Sequence, residues 1–106
     1  MSRPDLPALP LLVVSFVVPD ADWQTPIHAA VLGAEAHQPG VVFAVVAAIP
    51  TSQSREAQDA YVKQARLDAA AVANELQASG VPPDRIVLRM RGDPGNPPRE
   101  VRIYTQ

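Results

Sequence analysis

Twelve prolines, at positions 4, 7, 10, 19, 26, 39, 50, 82, 83, 94, 97 and 98 of 106 residues, decide where regular structure can lie in this chain. Proline lacks the amide donor that helix and sheet interiors need, so continuous elements belong to the windows between prolines. Leu11 to Val18 (LLVVSFVV) is apolar at odd and even positions alike, which predicts a central strand covered on both faces. From Asp22 to Gln38, the spacing of Trp23, Ile27, Ala30, Val31 and Ala34 predicts an amphipathic helix. Its cap is either Asp22 or Thr25, the latter with Pro26 at the first helical position, and Pro39-Gly40 stops it. Val41 to Ile49 (VVFAVVAAI) reads as a second buried, central strand. Strand, helix and buried strand in succession imply a right-handed parallel crossover.

The polar segment Thr51 to Arg55 (TSQSR) follows as a loop at the end of that strand, a place where ligands commonly bind in such crossovers. A longer helix is expected from Gln58 to Ser79, with Tyr61, Ala65, Ala69, Val72 and Leu76 on its buried face. Gly80 supplies the C-terminal cap and Pro82-Pro83 forbids continuation. Arg85 to Arg91 (RIVLRMR) alternates, which sets Ile86, Leu88 and Met90 inward and Arg85, Val87, Arg89 and Arg91 outward. After the dense turn Gly92 to Pro98, Glu100 to Tyr104 returns with Val101 and Ile103 inward, so the chain is expected to close on an antiparallel hairpin. The order β-α-β-α-β-β predicts an α/β fold of the α+β sandwich kind, a mixed sheet with two helices packed on it. Residues 1–10 read as a proline-rich extension and residues 11–106 as one domain.

Charge and composition narrow the function classes. Nine basic against eleven acidic side chains give a formal charge of −2. That balance does not suit a double-stranded DNA binder, whose affinity rests on neutralising many phosphates. The absence of cysteine excludes disulfides, thiol nucleophiles and cysteine metal sites. The longest apolar run, Leu11 to Val18, is broken by Ser15 and falls short of the roughly 20 residues that span a bilayer. No transmembrane segment is therefore expected in this chain.

The chain carries no H-E-x-x-H, no phosphate-cradling glycine loop and no G-x-S-x-G element, so no catalytic residue, cofactor or metal is assigned. His28 and His37 lie nine residues apart on one helix, about 180° around its axis, and are expected on exposed faces rather than on one metal. Two candidate surfaces remain. Thr51, Ser52, Ser54 and Arg55, with the amides of the next helix start, form a candidate carboxylate-binding loop. Arg85, Arg89, Arg91 and Arg102, with Tyr104 beside them, form a candidate interaction face for an anion or a single-stranded base. The plainer reading of that face is a solvated sheet surface with Glu100 and other acids as partners, since it offers one aromatic where single-strand binders present several.

The long helix supplies Asp68-Ala69, Val72, Leu76 and Gly80-Val81, followed by Pro83-Asp84-Arg85-Ile86, Arg91-Gly92-Asp93 and Arg99-Glu100-Val101-Arg102-Ile103. These local sequences resemble the OmpA-like C-terminal domain of bacterial envelope proteins. The family pattern at these places is R-A-x-x-V-x-x-x-L-x-x-x-G-[VI], D-R-[IV], a glycine-rich loop and N-R-R-V-x-I, and the likeness covers roughly residues 11–106. The resemblance implies a cell-envelope setting, periplasmic or outer-membrane associated, with any signal or lipid anchor outside this chain. Family members clasp the free carboxylate and amine of peptidoglycan stems with an Asp after the second strand and the Arg of R-A-x-x-V. Aligned through Val72 and Gly80, that Arg falls on Asp68 and that Asp on Ser52 or Gln53. Arg66 lies about 160° from Asp68 around the helix and does not substitute. An acid in place of the Arg repels a carboxylate, so peptidoglycan is not the expected ligand. The first expectation is thus a non-enzymatic envelope accessory domain that contacts a protein partner. The second is a divergent peptidoglycan binder using Thr51, Ser52, Ser54 and Arg55, and the third a small cytoplasmic module binding an anion or single-stranded RNA.

Overall fold

The apolar windows condense into one four-stranded sheet in the computed structural model, which describes residues 10–17, 22–52, 54–95 and 98–106. The elements are β1 (Leu12–Ser15), α1 (Gln24–His37), β2 (Phe43–Pro50), α2 (Arg55–Ala78), a 3-10 turn (Pro83–Arg85), β3 (Ile86–Asp93) and β4 (Glu100–Thr105). Across the sheet the order is β1-β4-β2-β3, with β4 antiparallel to both its neighbours and β2 parallel to β3. The fold is the expected mixed sheet with two helices in the order β-α-β-α-β-β. Residues 1–9 of the expected proline-rich extension lie outside the described residues.

Register sorts the side chains onto two faces. Val14 pairs with Val101, Leu12 and Val45 with Ile103, and Ala47 with Val101, so these residues share one face. They join Ile27 and Val31 of α1 and Ala65, Ala69, Val72 and Leu76 of α2 in a single apolar cluster. Both helices therefore lie on that face, and no described helix covers the other.

This one-sided cover corrects two expectations. Leu11 to Val18 is not a central strand buried on both sides: β1 is a four-residue edge strand, and Val13 on its open face is 44% exposed. An apolar run can be buried twice only where something covers both faces, and here the helices cover one; Val18 itself lies outside the described residues. Nor do the last two strands form a hairpin. Between β1 and β2, β4 buries Val101 and Ile103, whereas β3 takes the opposite edge beside β2. The expected crossover is parallel, since β1 and β2 both run antiparallel to β4, but β4 lies between the two strands it connects.

Local chemistry sets the helix ends. The Asp22 carboxylate accepts from the backbone amides of Gln24 and Thr25 at 3.2 and 3.1 Å, and from the Thr25 hydroxyl at 2.6 Å. Asp22 rather than Thr25 is thus the capping side chain, and Pro26 falls inside the first turn. At the start of α2, Ser54 Oγ accepts from the Ala57 amide at 3.2 Å, so the helix begins at Arg55, three residues before the expected Gln58. At its end the Val81 amide donates to the Leu76 carbonyl and the Gly80 amide to that of Gln77, around Gly80 at φ +101°. That is a Schellman closure, in which Val81 folds back to pack with Leu76 in the core.

Hydrogen bonds to the Asp22 carboxylate, from the Thr25 hydroxyl first and then from backbone amides, hold its pKa below the ordinary 3.8. A group depressed in this way contributes stability above its unfolded pKa and loses it as pH falls through the folded value. Asp22→Ala is expected to lower the melting temperature at neutral pH, with the gap to wild type closing below pH 3.8. A gap of constant size in thermal melts across that range would refute the capping role.

Candidate functional site

The polar centre of the molecule is an ion pair between α2 and the residue before β4. Asp68 is only 5% exposed, and it is the one charged residue among the buried described ones. Arg99 donates to it twice, Nε to Oδ2 at 2.9 Å and Nη2 to Oδ1 at 2.8 Å. Gln64, one turn earlier on α2, donates Nε2 to Oδ1 at 2.9 Å. Burying a carboxylate is costly unless such donors meet it, and the side-on bidentate pair is the geometry that meets it best. The hydrogen bond and charge of Asp68 push the Arg99 guanidinium pKa upward. The guanidinium carbon also sits 5.3 Å from the centroid of the Phe16 ring, which in turn lies 5.4 Å from the Trp23 ring.

Beside this pair opens a cavity of about 260 Å³, with Ala47, Ala48 and Pro50 of β2 for its floor and Tyr61, Asp68 and Arg99 among its walls. Tyr61 was expected on the buried face of the long helix; it is exposed instead, because the first turns of α2 flank this cavity rather than the sheet. Glu100 also lines it, with its carboxylate accepting from Arg102 Nε, so Asp68 and Arg99 are the charged pair at the cavity wall.

The loop residues Thr51, Ser52, Ser54 and Arg55 do not line that cavity, which Pro50 alone connects to them. Ser54 is occupied in capping α2, Arg55 is the first residue of that helix, and the Thr51 carbonyl accepts from Gln58 Nε2 at 2.7 Å. The structure brings Asp68 to the cavity and leaves Thr51, Ser52 and Ser54 exposed outside it.

On the open sheet face, Val46 pairs with both Arg102 and Arg89, and Ala48 with Arg91, while Ala44 pairs with Tyr104. Arg89, Arg91, Arg102 and Tyr104 thus share a face as expected. Arg85 does not join them: it lies in the 3-10 turn before β3, with its guanidinium 3.7 Å from the Cβ position of Gly40. Arg102 donates Nε to Glu100 Oε2 at 3.0 Å, whereas Arg89 and Arg91, which share the face with Asp93, form no ion pair among the described residues.

Sequence reasoning set His28 apart on an exposed face and missed its partners. The imidazole Nε2 lies 2.7 Å from Glu75 Oε2 and Nδ1 lies 2.9 Å from Ser79 Oγ. The trio has the residue types of a hydrolase triad but not its arrangement. Ser79 Oγ donates back to the Glu75 carbonyl at 2.9 Å, so its proton points into the helix. Its effect is to tie α1 to the last turn of α2. The only signal in the sequence was the polar 75–79 spacing, one turn apart on a helix end.

Two helices on one face of a mixed β1-β4-β2-β3 sheet define an OmpA-like fold. The chain is similar to the OmpA-like domain of FopA1 from Francisella tularensis subsp. tularensis SCHU S4, at 19% identity and a TM-score of 0.59, over 89% of this chain and 70% of that one. No protein-family model and no curated protein matches the chain. Among the described residues, no helix is long and apolar enough to cross a membrane.

Proposed function

We propose that the chain is a non-enzymatic accessory domain of the bacterial cell envelope that acts through protein contacts and does not hold peptidoglycan. The observation that carries this reading is the bidentate Arg99–Asp68 pair at the cavity wall. In the alignment with OmpA-like domains, Asp68 stands where the carboxylate-binding Arg belongs. The guanidinium beside it is already engaged by that internal carboxylate. A free stem carboxylate entering this space meets repulsion rather than a clasp. Open surface supports the protein-contact part: one whole sheet face carries no helix and presents Val13, Arg89 and Arg91 to solvent.

The test is cosedimentation with purified peptidoglycan at physiological salt, where the chain is expected to stay in the supernatant. Saturable pelleting, abolished by soluble stem peptide, would overturn this reading in favour of a divergent peptidoglycan binder.

A further inference from the structure

We infer that the free edge of β3 is a docking site for an extended segment of another protein in which acidic side chains alternate with apolar ones. This inference rests on the protein-contact reading above and names its surface and partner chemistry. β3 is eight residues long and, among the described residues, pairs on one side only, with β2. Every second residue of such an edge turns its N–H and C=O outward, a template for one more strand.

The two faces of that edge differ in chemistry. On the helix side, Leu88 and Met90 point toward α2 but extend past its cover, 52% and 39% exposed. With Arg66 and Ala69 of α2 and Arg89 of β3 itself they line a groove of about 350 Å³. On the open side, the alternate positions are Val87, Arg89, Arg91 and Asp93, of which Arg89 and Arg91 are exposed and Asp93 is half-buried at the end of the strand. Among the described residues, Arg66, Arg89 and Arg91 have no acidic partner, although the chain as a whole is net acidic. An added strand with period-two alternation would set apolar side chains into the groove and carboxylates beside Arg89 and Arg91 at once. A second copy of the chain fits this edge less well, because the centred antiparallel registers of β3 against β3 oppose arginine to arginine. The other edge, β1, is four residues long and carries no charged residue.

The probe is a fluorescein-labelled ten-residue peptide alternating glutamate and valine, followed by anisotropy and by backbone amide shifts of the isotope-labelled chain. Saturable binding is expected, with shifts concentrated on β3. Arg89→Glu with Arg91→Glu should weaken it by about tenfold or more, and Leu88→Ser with Met90→Ser should also weaken it; all four side chains are exposed, so these variants should fold. A peptide N-methylated at alternate residues, which cannot complete the ladder, should not bind. Equal binding by that peptide or by one alternating lysine and valine, shifts centred elsewhere, tighter binding of a single-stranded oligouridine, or no binding would each overturn the inference. A chain that fails here yet stays off peptidoglycan loses this docking edge alone, and the proposed function stands.

Discussion

Leu76→Ala is expected to cost about 3 kcal/mol, within the range of roughly 2–5 kcal/mol for large-to-small changes at fully buried positions. Leu76 is 1% exposed and packs with Val72 and Val81 in the apolar cluster beneath the sheet. The loss has two sources. Removing the isobutyl end takes dispersion contacts from its neighbours and leaves a void that rigid strands cannot close. The same side chain is also the helix half of the apolar contact that accompanies the Schellman closure, so its removal loosens the turn at Gly80 that directs the chain toward β3. In a domain of this size the change should lower the melting temperature by about 10–20 °C. Denaturant unfolding with an unchanged midpoint would show that this face of α2 does not meet the sheet.

Arg99→Met is expected to destabilise the fold by about 2–3 kcal/mol, more than its half-exposed position suggests. The methionine keeps an apolar stem near Phe16 but removes two of the three hydrogen bonds to Asp68, leaving Gln64 alone to face a buried carboxylate. Removing one partner of a buried pair costs 3–5 kcal/mol when both are enclosed. Arg99 is 49% exposed, so water partly screens the pair and the estimate is reduced accordingly. The reverse change, Asp68→Leu, strands no buried charge, because Arg99 can turn to solvent, and the adjoining cavity has room for the larger side chain. It should cost about 1 kcal/mol, and the double variant should lie within about 1 kcal/mol of wild type. A double-mutant cycle in urea reads the coupling directly, and strictly additive effects would mean that the two groups do not depend on one another.

The parts of the fold that were legible from sequence are those decided within a few residues. The apolar run of β2, the stripe Ala65, Ala69, Val72 and Leu76, and the stop at Gly80 all follow from local spacing and backbone chemistry. Partner choice between strands is not local. The turn-rich Gly92 to Pro98 invites a hairpin, yet Val101 and Ile103 are buried best between two neighbours, and only the assembled sheet offers that place. The site was half legible for the same reason. An acid at position 68, three residues after Ala65 and four before Val72, sits within a buried stripe and therefore requires a donor. Nothing in the periodicity says that the donor lies 31 residues later. His28 is exposed as read, and only its partners, 47 and 51 residues away, escaped local spacing.

The place of β4 bears on how the chain comes to be folded at all. It is the last of the four strands to be synthesised, and it is the strand that joins β1 to the rest of the sheet. Until β4 is available, β2 and β3 can pair across α2, but β1 has no neighbour among the described strands and Val14 nothing to be buried against. The first strand to be made is thus the one that depends on the last, and the sheet closes only when the two ends of the domain meet.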